Sequence, residues 1–133
     1  MRIMVDANII VSAILFPKSI IAKAFDHLAN NFDLILSKYT IDEVEGVFND
    51  KFPHKLSEMK MFIKQVPYEL FVLNKVDNKK YLNIRDNKDL PVLINAIESK
   101  TDVFITGDKD FDDVRIEIPK IIKPRKYIDE YMI

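Results

Sequence analysis

The chain has 133 residues, 48% of them hydrophobic and 31% charged, a balance that fits one soluble globular domain with a sizeable core. Its net charge of −1 excludes attraction of polyanions by overall charge, so any contact with nucleic acid must come from a local basic patch or from bridging metal ions. The absence of cysteine excludes disulfides, thiolate metal sites and cysteine nucleophiles.

Ile3-Met4-Val5 is a short apolar run without alternation, which predicts a strand buried on both faces and ending at Asp6. A helix is expected to begin near Ile9. Ile20, Ile21, Ala24, Phe25 and Leu28 then recur at helical spacing, with Pro17 and Ser19 as a start signal and Asn30-Asn31 as a stop. Phe32 to Leu36 reads as a second buried strand, and Thr40 to Phe48 as a helix through Ile41, Val44, Val47 and Phe48. A further helix runs from about Lys55 to Val66, stopped by Pro67, and Leu70 to Leu73 forms a third strand.

Asp77 to Lys88 is polar and reads as a loop, with a helical turn around Tyr81-Leu82. Leu90, Leu93, Ile94 and Ile97 mark another amphipathic helix. Asp102 to Thr106 and Lys120 to Ile122 supply the last two strands, the second bounded by Pro119 and Pro124. Alternating strands and helices predict a three-layer α/β/α fold on a central, mostly parallel five-stranded sheet, as a single domain over residues 1–133. Neither of the two glycines belongs to a phosphate-binding glycine loop. No signal peptide and no apolar stretch near the ~20 residues that span a bilayer are visible, so a cytoplasmic protein with no membrane contact is expected.

Several carboxylates stand where strands end or helices begin, and each has a local explanation. Asp6 reads equally as a cap for the helix after the first strand or as a ligand at a strand's carboxyl end. Glu43 fits a capping box with Thr40, while Asp42 and Glu45 point away as surface charges. Asp89 suits the first turn of the helix that follows it, and Asp86 lies nearby with Arg85 and Lys88 as surface partners. Asp108 and Asp110 suit a turn that Gly107 permits. Acids brought together without a fixed cation repel, so a shared site would imply a bound metal ion. His27 and His54 are isolated and receive no role.

Four segments carry a resemblance in their order along the chain. They are Val5-Asp6-Ala7-Asn8-Ile9-Ile10-Val11-Ser12-Ala13, Glu43 in the helix after the second strand, Arg85-Asp86-Asn87-Lys88-Asp89-Leu90-Pro91-Val92-Leu93, and Thr106-Gly107-Asp108-Lys109-Asp110-Phe111. Together they resemble the PIN domains, metal-dependent nucleases that include the VapC-like toxin ribonucleases of toxin–antitoxin pairs. The closing Ile122-Lys123-Pro124-Arg125-Lys126-Tyr127-Ile128 is similar to the end of a toxin subgroup of that family. One departure is Ala7, where threonine or serine is common in the family.

The resemblance implies an acidic quartet of Asp6, Glu43, Asp89 and Asp108, with Asn8, Thr106 and Asp110 as accessory residues. It implies one or two Mg²⁺ or Mn²⁺ ions, hard cations that oxygen ligands suit. Asp6 and Asp89 are expected as the most direct ligands, with Glu43 and Asp108 acting through water, orienting the nucleophile or holding a second ion. The implied reaction is hydrolysis of an RNA phosphodiester to 5′-phosphate and 3′-hydroxyl ends. The implied partners are a cognate antitoxin and a second copy in a homodimer.

Substrate contact is open: Lys88, Lys109, Arg115, Lys123, Arg125 and Lys126 read first as solvated or paired surface charges. Phe16, Phe111 and Tyr127 are candidates to stack on bases, with core packing the stronger expectation for the first two. Two other readings compete. A catalytically silent PIN-like scaffold would bind RNA or protein without turnover. A receiver-like phosphoryl acceptor would need an acceptor Asp after the third strand, where Asn74 and Lys75 stand instead.

Overall fold

The computed structural model describes residues 1–74 and 90–132. Strands β1 (Arg2–Val5), β2 (Asp33–Ser37), β3 (Glu69–Phe71), β4 (Val103–Ile105) and β5 (Lys120–Ile122) form one sheet in the order β3-β2-β1-β4-β5. Every pairing is parallel, with Met4 opposite both Ile35 and Phe104. The expected mostly parallel sheet is therefore wholly parallel. The buried stretches of its central strands, Ile3–Val5, Leu34–Leu36 and Val103–Ile105, are apolar because both faces are covered.

Six helices supply that cover: α1 (Ala7–Leu15), α2 (Ile20–Asn31), α3 (Lys38–Lys51), α4 (Leu56–Gln65), α5 (Leu90–Glu98) and α6 (Pro124–Tyr131). Ile3, Val5, Leu34, Leu36, Val103 and Ile105 face one core, shared with α1, α2, α3, α4 and α6. Met4, Ile35 and Phe104 face the other, shared with Val92, Leu93, Ile94 and Ala96 of α5 and with Phe111. Successive strand residues point to opposite faces, so three strands feed both cores. Among the described residues, no single helix is long and apolar enough to cross a membrane.

Local signals explain most boundaries. Ser19 caps α2, its hydroxyl accepting from the Ala22 amide at 3.1 Å. At α3 the expectation needs correction. Ser37 is the cap, accepting from the Thr40 amide at 3.0 Å, and the helix starts at Lys38. Thr40 and Glu43 are therefore inside the helix and form no capping box. The helix starts early because the buried serine at the end of β2 satisfies the Thr40 amide, one of the first-turn amides that has no partner within the helix.

Helix α6 was not foreseen, since Pro124 read only as the limit of β5. Proline at a helix's first position loses no bond and has its φ already set, so the same residue also opens α6. The expected loop from Asp77 to Lys88, with its turn at Tyr81-Leu82, lies outside the described residues.

The strand order decides where a site can form. From β1 the chain winds toward β2 and β3, then returns to place β4 and β5 on the other side of β1. Connections leaving β1 and β4 diverge and open a crevice at their carboxyl ends. Asp6 and Thr106 are the residues that follow those two strands.

Candidate functional site

Asp6 leaves β1 with its amide bonded to the Ile105 carbonyl at 3.0 Å, which sets it beside the end of β4. It occupies the cap position of α1, yet its carboxylate serves two masters. Oδ1 accepts from the Ala7 amide at 2.7 Å, and Oδ2 accepts from the Thr106 hydroxyl at 2.7 Å. The residue is 8% exposed, and among the described residues no cationic side chain pairs with it. Burial raises its pKa above the ordinary aspartate value; the bonds from Thr106 and Ala7 oppose that rise, and the charge of Asp108 adds to it.

Thr106 is fully buried and links the two acidic segments. Its hydroxyl donates to Asp6 and accepts from the Asp108 amide at 3.1 Å. Its own amide bonds the Ile122 carbonyl at 3.0 Å, so the sheet itself positions the hydroxyl. Asp108 then caps a 3₁₀ turn, Lys109–Phe111, its Oδ1 accepting from the Asp110 amide at 2.9 Å. Gly107 is not demanded sterically: its φ is not positive, and an added Cβ would meet nothing within 4 Å. The turn expectation holds at Asp108, whereas the glycine explanation for it does not.

Beside this pair opens a cleft of about 610 Å³, walled by Asn8, Ile9 and Ser12 of α1, Ile21 of α2, the Gly107–Lys109 segment and Pro124. Asn8 and Ser12 are one turn apart and share a helix face. Ser12, Ile21 and Pro124 carry no site role in the sequence reading. The four-residue spacing from Asn8 was the available signal for Ser12, and none existed for the other two.

The other expected residues fall as follows. Glu43 is exposed in the second turn of α3, a helix that starts at the same carboxyl edge of the sheet as Asp6. Asp42 pairs with Lys38 at 2.8 Å on the surface. Asp110 is exposed and meets Asp108 through its amide. Asp89 and Asp86, with Arg85 and Lys88, lie outside the described residues. Asp89 directly precedes Leu90, where α5 begins. The far end of α5 reaches the amino edge of the sheet, where Arg2 bonds the Ser99 carbonyl at 2.8 Å, so its start faces the opposite, carboxyl edge.

Among the described residues, no three histidine, aspartate or glutamate side chains assemble into a metal-holding group. What the structure brings together is Asp6, Thr106 and Asp108. Each oxygen of Asp6 accepts one described hydrogen bond and keeps a second lone-pair direction. An all-oxygen pair holding one buried, unpaired carboxylate fits a hard divalent cation.

The aromatic candidates change places. Phe16 is 63% exposed, against the core expected for it, because α1 ends one residue earlier and turns it outward. Phe111 is buried as expected. Tyr127 is 1% exposed and packs among His27, Phe32 and Tyr131, which withdraws it from base stacking. Of the basic residues, Arg125 and Lys126 pair with Asp129 and Glu130, Lys123 pairs with Asp112, and Arg115 bonds the Asp112 carbonyl. Lys109 is exposed at the cleft wall.

Residues 2–110 match the family model of the PIN domain. The fold is similar to that of a chain in the crystal structure of VapBC2 from Rickettsia felis bound to a DNA fragment from their promoter. That match has a TM-score of 0.70 and 21% identity, and it covers 92% of this chain and 98% of the other. No curated protein matches in sequence.

Proposed function

Because the chain belongs to the PIN domain family, we propose that it is a divalent-cation-dependent endoribonuclease and the toxin of a toxin–antitoxin pair. PIN domains are generally nucleases that use divalent metals. The observation that carries the reading here is the buried Asp6 carboxylate, held by Thr106 beside Asp108 at the β1/β4 crevice and paired with no described cation. A buried anion left in this way is costly unless a positive charge arrives. Similarity of fold to a VapBC2 chain supports an antitoxin as partner, and a homodimer belongs to the same reading.

Asp6 and Asp108 would hold Mg²⁺ or Mn²⁺, as one ion or two, with Asp89 and Glu43 completing the acidic set. When bound, the ion offsets negative charge on the scissile phosphate and on its leaving oxygen. The rest falls to the chain's own groups. Thr106 fixes the Asp6 carboxylate so that its free lone pairs keep one direction, and the 3₁₀ turn does the same for Asp108. Asn8 and Ser12 offer an amide and a hydroxyl to the sugar–phosphate backbone along the cleft. Lys109 adds a positive charge at its rim, which a chain of net charge −1 needs for a polyanion. Asp110 supports the turn.

Cleavage of a mixed RNA pool with Mn²⁺ tests this. Wild-type protein should cut, and Asp6→Asn should lose roughly 100-fold or more, since even residues that only support metal ligands are worth about 10–100-fold. Full activity in folded Asp6→Asn would remove Asp6 from the mechanism. No cleavage across varied RNAs and metals would leave the scaffold reading in its place.

A further inference from the structure

The segment carrying Asp108 is also held by a side chain from the β5–α6 junction. Lys123, the residue before α6, donates from Nζ to the Asp108 carbonyl at 3.3 Å. The same ammonium pairs with Asp112 Oδ1 at 2.8 Å. One cation therefore touches both ends of residues 108–112, which span the 3₁₀ turn. At its Asp108 end that segment hangs from Thr106, whose hydroxyl accepts from the Asp108 amide and donates a hydrogen bond to Asp6. The base of Lys123 is itself anchored, because the preceding Ile122 is bonded to Thr106 in the β4–β5 ladder.

The chemistry suits a lysine. An ammonium has three donors on one atom and can serve a carbonyl and a carboxylate together. Side-chain exposures of 44% for Lys123 and 53% for Asp112 mean that the ion pair adds little to global stability. Its backbone contact is with Asp108, whose placement relative to Asp6 matters to the proposed site. We infer that Lys123 is a positioning residue: its ammonium bridges the Asp108 carbonyl and the Asp112 carboxylate and keeps the Asp108 turn in place against Thr106 and Asp6. The role in catalysis rests on Asp108 belonging to the acidic site proposed above; the hold on the turn does not.

Two readouts on the full chain test it, neither of them activity. Lys123→Met keeps the aliphatic stem and removes the charge. Amide hydrogen exchange at Asp108 and Asp110 should quicken about 3–10-fold in the metal-free variant, with other regions unmoved. Mn²⁺ affinity, read from the free-ion electron paramagnetic resonance signal, should weaken about 3–10-fold. Asp112→Asn should shift both in the same direction by less. Lys123→Arg should restore most of the loss, and Tm should stay within about 3 °C of wild type.

Unchanged exchange at both amides in Lys123→Met would overturn the hold on the turn. Faster exchange with unaltered Mn²⁺ affinity would overturn the positioning role. Faster exchange everywhere with a large fall in Tm would make Lys123 an ordinary structural residue and equally overturn it. Wild-type protein that binds no Mn²⁺ would instead refute the acidic-site reading, and the exchange rates would still decide whether Lys123 holds the turn.

Discussion

At Asp6, burial and hydrogen bonding pull proton affinity in opposite directions, and burial is the larger effect. The folded-state pKa therefore lies above the unfolded one. Below the ordinary value of 3.8 the residue is protonated in both states and weakens nothing. As pH rises through the raised folded value, the unfolded chain has already released its proton while the native state holds on, so stability is lost. Metal-free wild type should thus become less resistant to urea, relative to Asp6→Asn, on going from acid to neutral pH. Urea midpoints of both proteins across that range, with a chelator present, measure the difference. Parallel pH profiles would mean that Asp6 is not under this strain.

The positions of Asp6 and Asp108 were legible, because Asp6 directly follows the apolar run of β1 and Asp108 stands three residues past that of β4. Their common support was less so. Thr106 was expected only as a polar lining residue, and nothing local in the chain says that its hydroxyl meets a carboxylate 100 positions away.

At the scale of elements, α2 and α6 close one flank of the larger core through aromatic side chains. Tyr127 stacks on Tyr131 with ring centres 5.3 Å apart, meets Phe32 edge-on, and shares a 2.7 Å hydrogen bond with Nδ1 of His27. Burial first, and the proximity of Tyr131 second, push the Tyr127 phenol up to about 12 from 10.0. A phenol whose folded pKa is raised contributes stability that is complete below pH 10 and lost as pH climbs toward 12. Tyr127→Phe should cost about 1 kcal/mol at neutral pH through the lost hydrogen bond and should flatten the alkaline decline. Thermal or urea unfolding at pH 8 and above pH 11 distinguishes the two effects.

Two element boundaries were read closely from chemical signals in the sequence, while α1 starts at Ala7, two residues before the expected start near Ile9. Ser19 marks the start of α2, and Pro67 lies just past the end of α4. The misreading at α3 shows the limit: Ser37 and Thr40 are both good cap residues, and only the end of β2 decides that Ser37 is the one with a free amide to serve.

The described residues form two cores divided by one sheet and joined through β1, β2 and β4. Phe104, in β4, is fully buried and packs edge-on against Phe111 at 5.3 Å. Phe104→Ala should cost about 3–5 kcal/mol, a large share of the roughly 5–15 kcal/mol available to a domain. It should also loosen the Phe111 end of the Asp108 turn. Urea unfolding measures the first effect and amide exchange at Phe111 the second; a loss under about 1 kcal/mol would show that the α5 face repacks freely.

Local order decided a great deal by itself. Apolar runs without alternation specified β1, β2 and β4 as strands covered on both faces, 3.6-residue spacing specified most of the helices between strands, and Asp6 and Asp108 stand past β1 and β4, at the edge where the proposed site lies. Those signals act within a few residues, so they survive in the chain alone. Strand order does not act locally. Only the folded sheet sets β4 beside β1 and so joins Asp6, Thr106 and Asp108, because backbone hydrogen bonds between strands fix distances that sequence separation cannot express. The same holds for Lys123, which read as a surface charge until β5 and α6 carried it back to the carbonyl of Asp108.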